Sequence, residues 1–253
     1  STKKGERSSG LRPDTGYIGH RAAKMMKRSK SLERRQQETI EEKAALLKDV
    51  EEAPDLKVTP LNYGGRRLLE AKDLSLYYGE KKVCGPLHFE VRSGERICIR
   101  GKNGAGKSSL LRLILGQPLQ HTGEFLRGGG LKISYVDQDT SGLRGDLNEF
   151  AHQREIDQTL LKTILRKLDF SREQFDQKLE RLSDGQKKKV LIAGSLCQQA
   201  HLYIWDEPLN FIDVLSRGQI EDLLLKGQPT MLFVEHDSVF QGKIATKILS
   251  LES

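Results

Sequence analysis

No run of about eighteen consecutive apolar residues occurs in this 253-residue chain, so no stretch reads as a membrane-spanning helix. Its three cysteines, Cys84, Cys98 and Cys197, stand far apart without a CxxC pair. That argues against a zinc site and a disulfide framework, and makes a reducing, cytoplasmic compartment the expectation. The first residue is Ser and no apolar signal core follows it, so the sequence reads as a fragment of a longer, non-secreted protein. There is no internal repeat. What is present suffices to bury the core of one large domain or two small ones, with 36% hydrophobic residues, 30% charged residues and a mean hydropathy of −0.54.

Charge is unevenly spread. Residues 1–35 hold eleven Lys and Arg against three acids, so this segment carries more than the whole chain's net charge of +7. Such a concentration is the footprint of a polyanionic partner, nucleic acid or an acidic membrane surface, unless it is simply a solvated helix face. From about Tyr17, Ile18, Ala22, Met25 or Met26, Leu32, Ile40, Ala44 and Leu47 recur at helical spacings. They predict a basic helix with a narrow apolar stripe that needs a partner. Pro54, Pro60, Gly64 and Gly65 then mark a linker over residues 51–65.

Beyond Arg66 short strands and helices alternate. Residues 68–78 and 83–91 predict a hairpin around Gly79 and Glu80, and Ile97, Cys98 and Ile99 centre a buried parallel strand over 96–100. A helix is expected from about Gly106 to Gly116, further buried strands at 202–205 and 231–234, and a helix between them over 213–226. Residues 148–182, charged and rich in Gln and Leu, read as a small helical insertion. The alternation implies an α/β fold with a parallel sheet.

Gly101-Lys102-Asn103-Gly104-Ala105-Gly106-Lys107-Ser108 matches the phosphate-binding loop GxxxxGK[ST], between a buried strand and a helix as the motif requires. The glycines let backbone N–H groups converge on phosphates, the helix N-terminus adds its dipole, Lys107 can reach the outer phosphates and Ser108 can hold Mg²⁺. A second element, Leu202-Tyr203-Ile204-Trp205-Asp206-Glu207, ends an apolar strand in two carboxylates. Asp206 is placed to hold Mg²⁺ through water and Glu207 to act as general base on the attacking water. Tyr203, Trp205 and Cys98 read as core.

Leu182-Ser183-Asp184-Gly185-Gln186 resembles the LSGGQ signature of ATP-binding cassette (ABC) proteins. Gln138, after a strand-like stretch at 132–136, looks like that family's Q-loop, His236 like its switch histidine, Tyr78 like the aromatic that stacks on adenine, and residues 207–213 like the segment ending in its D-loop. These motifs occur once each, in the family's order, over about Leu68 to the C-terminus. The resemblance implies a P-loop NTPase fold of ABC type, with an antiparallel β subdomain and a helical subdomain at about 140–186, within a cassette over 57–253. It implies ATP and Mg²⁺ as cofactors. Tyr78, Gly101, Asn103, Gly104, Ala105, Gly106, Lys107, Ser108 and Ser109 would contact the nucleotide. Ser108, Gln138 and Asp206 would hold the metal, and Glu207, His236 and Gln138 would serve hydrolysis. Ser183, Gly185 and Gln186 would face the ATP of a second ABC domain, supplied by an N-terminal half or a second copy, so an isolated chain is expected to hydrolyse ATP weakly. Asp184 departs from the family's small residue, and a carboxylate there is unfavourable near phosphates unless it points away.

Within that family, Glu207-Pro208-Leu209-Asn210-Phe211-Ile212-Asp213 is similar to the EPTNHLD stretch of the twin-cassette ABC-F proteins, departing at Leu209, Phe211 and Ile212. Only 44 positions separate Gln138 from Leu182, a short helical subdomain. The basic segment at 1–56 resembles part of the ABC-F interdomain linker. Residues 16–28 and 186–190 resemble the branch that protects bacterial ribosomes from antibiotics, which implies rRNA and tRNA as partners of the linker. The alternatives are the nucleotide-binding subunit of a membrane transporter and a nucleotide-gated ribosomal clamp with little hydrolysis.

Overall fold

The computed structural model describes Leu56 and residues 58–65 and 67–251. The expected basic helix, and the rest of the segment assigned to the interdomain linker apart from Leu56, lie outside the described residues. Contacts divide the chain between Pro54 and Asp55, and the second unit is the one described. Its elements run β1 (Leu69–Tyr78), β2 (Lys81–Val91), β3 (Arg96–Arg100), α1 (Lys107–Ile114), β4 (Gln120–Arg127), β5 (Ile133–Val136), α2 (Leu147–Gln153), α3 (Gln158–Lys167) and α4 (Arg172–Phe175). After a 3-10 turn at Leu179–Arg181 come α5 (Asp184–Cys197), β6 (Leu202–Asp206), α6 (Val214–Gly227), β7 (Met231–Val234), α7 (Ser238–Ile244) and β8 (Lys247–Ser250).

Two sheets form. The antiparallel one has the order β2-β1-β4, and the parallel one the order β5-β6-β7-β3-β8. Alternation along the parallel strands explains why they read as continuous apolar runs. Leu202, Ile204, Leu232, Val234, Ile97 and Ile99 point into one core, shared with α1 and the antiparallel sheet. Tyr203, Trp205, Met231, Phe233 and Cys98 point into the other, shared with α2, α3, α5, α6 and α7. Both faces of the sheet are therefore buried, as an α/β fold demands. A parallel sheet beside an antiparallel one, with a small helical insertion, is the architecture that the resemblance implies.

Two strands have no counterpart in the sequence reading. β4 is exposed along almost its whole length, with only Phe125 partly buried, so it carries no period-2 signal. β8 closes the edge beside β3 with Lys247, Ile248 and Ser250 exposed. The insertion expected over 148–182 comprises three short helices and the 3-10 turn, beginning one residue earlier at Leu147.

Candidate nucleotide-binding site

Register brings the site together. Val234 of β7 stands opposite both Ile99 of β3 and Asp206 of β6, so the segments after these three strands leave the sheet at one level. The phosphate loop, the Glu207 segment and His236 therefore meet at the C-terminal edge of the sheet, where open α/β sheets place ligands. Gln138, after β5, joins them from the far side of β6.

At the loop, Gly106 has φ +88°, and a Cβ there would come within 2.9 Å of Cys84 Sγ, so only glycine fits the close approach to β2. The Lys107 ammonium folds back onto the carbonyls of Gly101 and Lys102, at 2.7 and 3.0 Å. No side chain caps α1. By contrast α2, α3, α5, α6 and α7 are capped by Asp146, Asp157, Ser183, Asp213 and Asp237. The first turn of α1 thus presents backbone N–H donors and a helix dipole to an anion, with a lysine beside them, and this donor set fits the phosphates of ATP. Tyr78 is half exposed, and its hydroxyl accepts from Ser109 Oγ at 3.3 Å and Arg112 Nη1 at 3.5 Å. The Ser109 contact, with Arg112, lowers its pKa. The hydroxyl is engaged at α1, and the ring borders a depression lined by Lys81, Lys82, Val83 and Gly104.

Asp206 is buried, 5% exposed. Burial first, then the charges of Glu207 and Asp137, raise its pKa to about 6 against the pull of Lys188 and Lys107. A site this short of positive charge suits a hard cation. Among the described residues no three His, Cys, Asp or Glu side chains converge on one point. The oxygen donors of Ser108, Asp206 and Gln138 fit Mg²⁺, which keeps waters and takes phosphate oxygens as further ligands.

Glu207 is the focus. Its backbone lies at φ +46°, uncommon for a residue with a side chain, and its N–H donates to Val234 O at 3.0 Å. Gln138 Nε2 and Asn210 Nδ2 both donate to Glu207 Oε2, at 2.7 and 2.8 Å, while His236 Nε2 stands 3.5 Å from Oε1. Three residues that are 69, 3 and 29 positions away in sequence meet on one carboxylate.

The signature residues behave differently. Ser183 Oγ accepts from Gln186 N–H and Gln186 Oε1 accepts from Ser183 N–H, at 3.3 and 2.9 Å, a reciprocal cap on α5. Gly185 packs so closely on the Phe211 carbonyl that an added Cβ would overlap it. Asp184 accepts from Thr140 Oγ1 at 3.4 Å, and Asp213 caps α6 while pairing with Lys189 at 2.7 Å.

Sequence reasoning missed three supports. Glu235, buried beside His236, accepts the N–H groups of Leu209 and His236 at 3.2 and 3.1 Å, joining the Glu207 segment to the histidine segment. Arg217 holds the Leu209 and Ile212 carbonyls and Asp237. Lys188 is buried under the Gln138 loop. An acid next to the histidine was the only visible hint of the first. A basic residue in a helix gave none for the second.

The chain is 28% identical over 194 residues to the ribosome protection protein VmlR of Bacillus subtilis, covering 75% of this chain and 35% of that one. It is 31% identical over 168 residues to the zinc import ATP-binding protein ZnuC of Wigglesworthia glossinidia brevipalpis, covering 63% of this chain and 70% of that one. The chain thus spans about a third of the length of VmlR and most of ZnuC. A solved ATP-binding subunit of an ABC transporter superposes with a TM-score of 0.62 at 23% identity, over 74% of this chain and 88% of that one. The ABC transporter family model matches residues 84–210, from the β2 strand under the phosphate loop to Asn210 on Glu207. On that match, which covers half of its length, the chain belongs to the ABC transporter family and is one of its ATP-binding domains.

Proposed function

We propose that this domain is the ATP-hydrolysing cassette of an ABC-F protein that acts on the ribosome and protects it from antibiotics. The observation that carries the reading is Asn210 on Glu207, because it gives a structural purpose to the asparagine of the ABC-F-like stretch 207–213. The short helices between Gln138 and Leu182, the basic composition of residues 1–35 and the likeness to a ribosome protection protein support it. A positively charged segment suits rRNA and tRNA phosphates, where affinity is electrostatic and falls steeply with salt.

Mg²⁺–ATP, when bound, supplies the reactive phosphoryl group and the charge that polarises it. Lys107 and the first turn of α1 would bind the phosphates, and Ser108, Gln138 and Asp206 would hold the metal. Glu207 takes the proton of the attacking water. Because Gln138 and Asn210 both hold Oε2, Oε1 is the oxygen left to receive it, with His236 beside that oxygen. Ser183 and Gly185 lie at the N-terminus of α5 and would face the nucleotide of a second ABC domain. ATP would then close two cassettes and hydrolysis would reopen them, a population shift driven by differential affinity.

The test is co-sedimentation of the protein that carries this cassette, with Glu207→Gln, with purified 70S ribosomes at two salt concentrations. ATP-dependent, salt-sensitive pelleting is expected. ATP binding without pelleting would overturn the ribosomal assignment and favour an ATP-binding subunit of a transporter, the reading that the likeness to ZnuC supports.

A further inference from the structure

Lys188, in the second turn of α5, is 1% exposed and is among the largest fully buried side chains. Its Nζ donates to the carbonyls of Asp137 and Gln138, at 2.8 and 3.1 Å. Burial lowers its pKa, and the nearby charges of Asp137, Asp206, Glu207 and Glu235 oppose that. Exchanging a buried charge for an apolar residue of similar length is often neutral or stabilising, so packing alone does not account for an ammonium here. Its acceptors suggest what does. Both are backbone atoms of the loop whose Gln138 side chain reaches Glu207.

That loop is internally braced. Asp137 Oδ1 accepts from Asp139 N–H, Asp139 Oδ1 accepts from Ser141 N–H, and Thr140 bonds to Asp184 at the start of α5. The same end of α5 also grips the other segment that feeds Glu207, through Gly185 against Phe211 and Lys189 on Asp213. Both amide partners of Glu207, Gln138 and Asn210, thus stand on loops fastened to the first two turns of one helix. Rigid packing makes such a helix transmit displacement rather than absorb it.

We propose that Lys188 is a positioning residue that locks the Gln138 loop to α5, so that the signature end of the helix and the Glu207 carboxylate of the same chain move as one. The proposal deepens the reading of Glu207 as general base and of Ser183 as facing a partner's nucleotide. Engagement of Ser183 by a second domain would then be felt at Glu207 through Lys188, without passing through the phosphate loop.

The experiment compares the wild-type chain, Lys188→Met, Gln138→Ala and the double variant. Without nucleotide, hydrogen exchange at the Asp139 and Ser141 amides is expected to accelerate at least tenfold in Lys188→Met while exchange in β6 and β7 stays unchanged. Equal exchange at the loop, or acceleration throughout the sheet, would overturn the clamp. In turnover of the protein that carries this cassette together with a second ABC domain, Lys188→Met should lower kcat about ten- to a hundredfold with KM within twofold, the scale of a misplacement near 1 Å. The double variant should be no slower than Gln138→Ala. Multiplicative losses, or a raised KM with unchanged kcat, would assign Lys188 a merely structural or binding role. Failure of the wild-type chain to bind fluorescent Mg²⁺–ATP would instead refute the nucleotide reading, and the exchange measurement would still decide the clamp.

Discussion

Asp206 offers the sharpest quantitative test, because the site is built at a cost to the fold. In the unfolded chain its carboxyl titrates near 3.8, and in the folded, nucleotide-free domain burial and the neighbouring Glu207 and Asp137 raise it to about 6. The folded state therefore binds this proton more tightly. The contribution is fully favourable below about pH 4 and is lost as pH rises through about 6. At 1.36 kcal/mol per tenfold change, ionising Asp206 costs the folded domain about 3 kcal/mol at pH 7.5. Asn mimics the neutral acid in size and polarity. Asp206→Asn is accordingly expected to raise the thermal midpoint of the nucleotide-free chain by about 6–12 °C at pH 7.5, at about 2–4 °C per kcal/mol for a domain of this size. At pH 4 the two midpoints should coincide. The same variant should lose the further stabilisation that Mg²⁺ adds in the presence of ATP, since the ion's carboxylate is gone. Scanning calorimetry or fluorescence melting at both pH values reads this out. A gain of equal size at pH 4 and 7.5, or a loss at pH 7.5, would refute the reasoning.

Two further perturbations follow from the geometry. Tyr78→Ala should weaken ATP binding by about 1–3 kcal/mol, the scale of one base on one aromatic ring, in a fluorescent-nucleotide titration. Tyr78→Phe, which keeps the ring and loses only the contacts with Ser109 and Arg112, should bind within a few-fold of wild type. Gly185→Ala sets a side-chain Cβ against the Phe211 backbone carbonyl and should lower stability to urea by about 1–3 kcal/mol, whereas Gly218→Ala, in α6 with open space around it, should be neutral or slightly stabilising.

The sequence showed the parallel sheet well because its central strands are buried on both faces: 97–99, 202–205 and 231–234 are uninterrupted apolar runs, and each lies within an observed strand. β4 was invisible for the opposite reason. Its stability comes from pairing with β1 rather than from burial, and backbone pairing leaves no mark on composition. The phosphate loop was legible as a local motif, whereas Gln138 and His236 were distinguished only by their order along the family's pattern. What no pattern could give was the assignment of charges. Lys187, Lys188 and Lys189 look alike in sequence, but Lys188 is fully buried on two carbonyls and Lys189 pairs with Asp213. Asp184 is unfavourable near a phosphate only if its carboxylate faces it, and composition does not say which way it turns; in the fold it accepts a hydrogen bond from Thr140. Such differences are set by tertiary neighbours far along the chain.

Equilibrium binding of fluorescent ATP to the chain, with and without Mg²⁺, in wild type and Lys107→Ala, bears most directly on the central claim that residues 101–109 hold a nucleotide beside Glu207. Saturable binding that Mg²⁺ tightens and that Lys107→Ala weakens at least a hundredfold is the predicted result. Binding of equal strength in the variant, or none in wild type, would contradict the account.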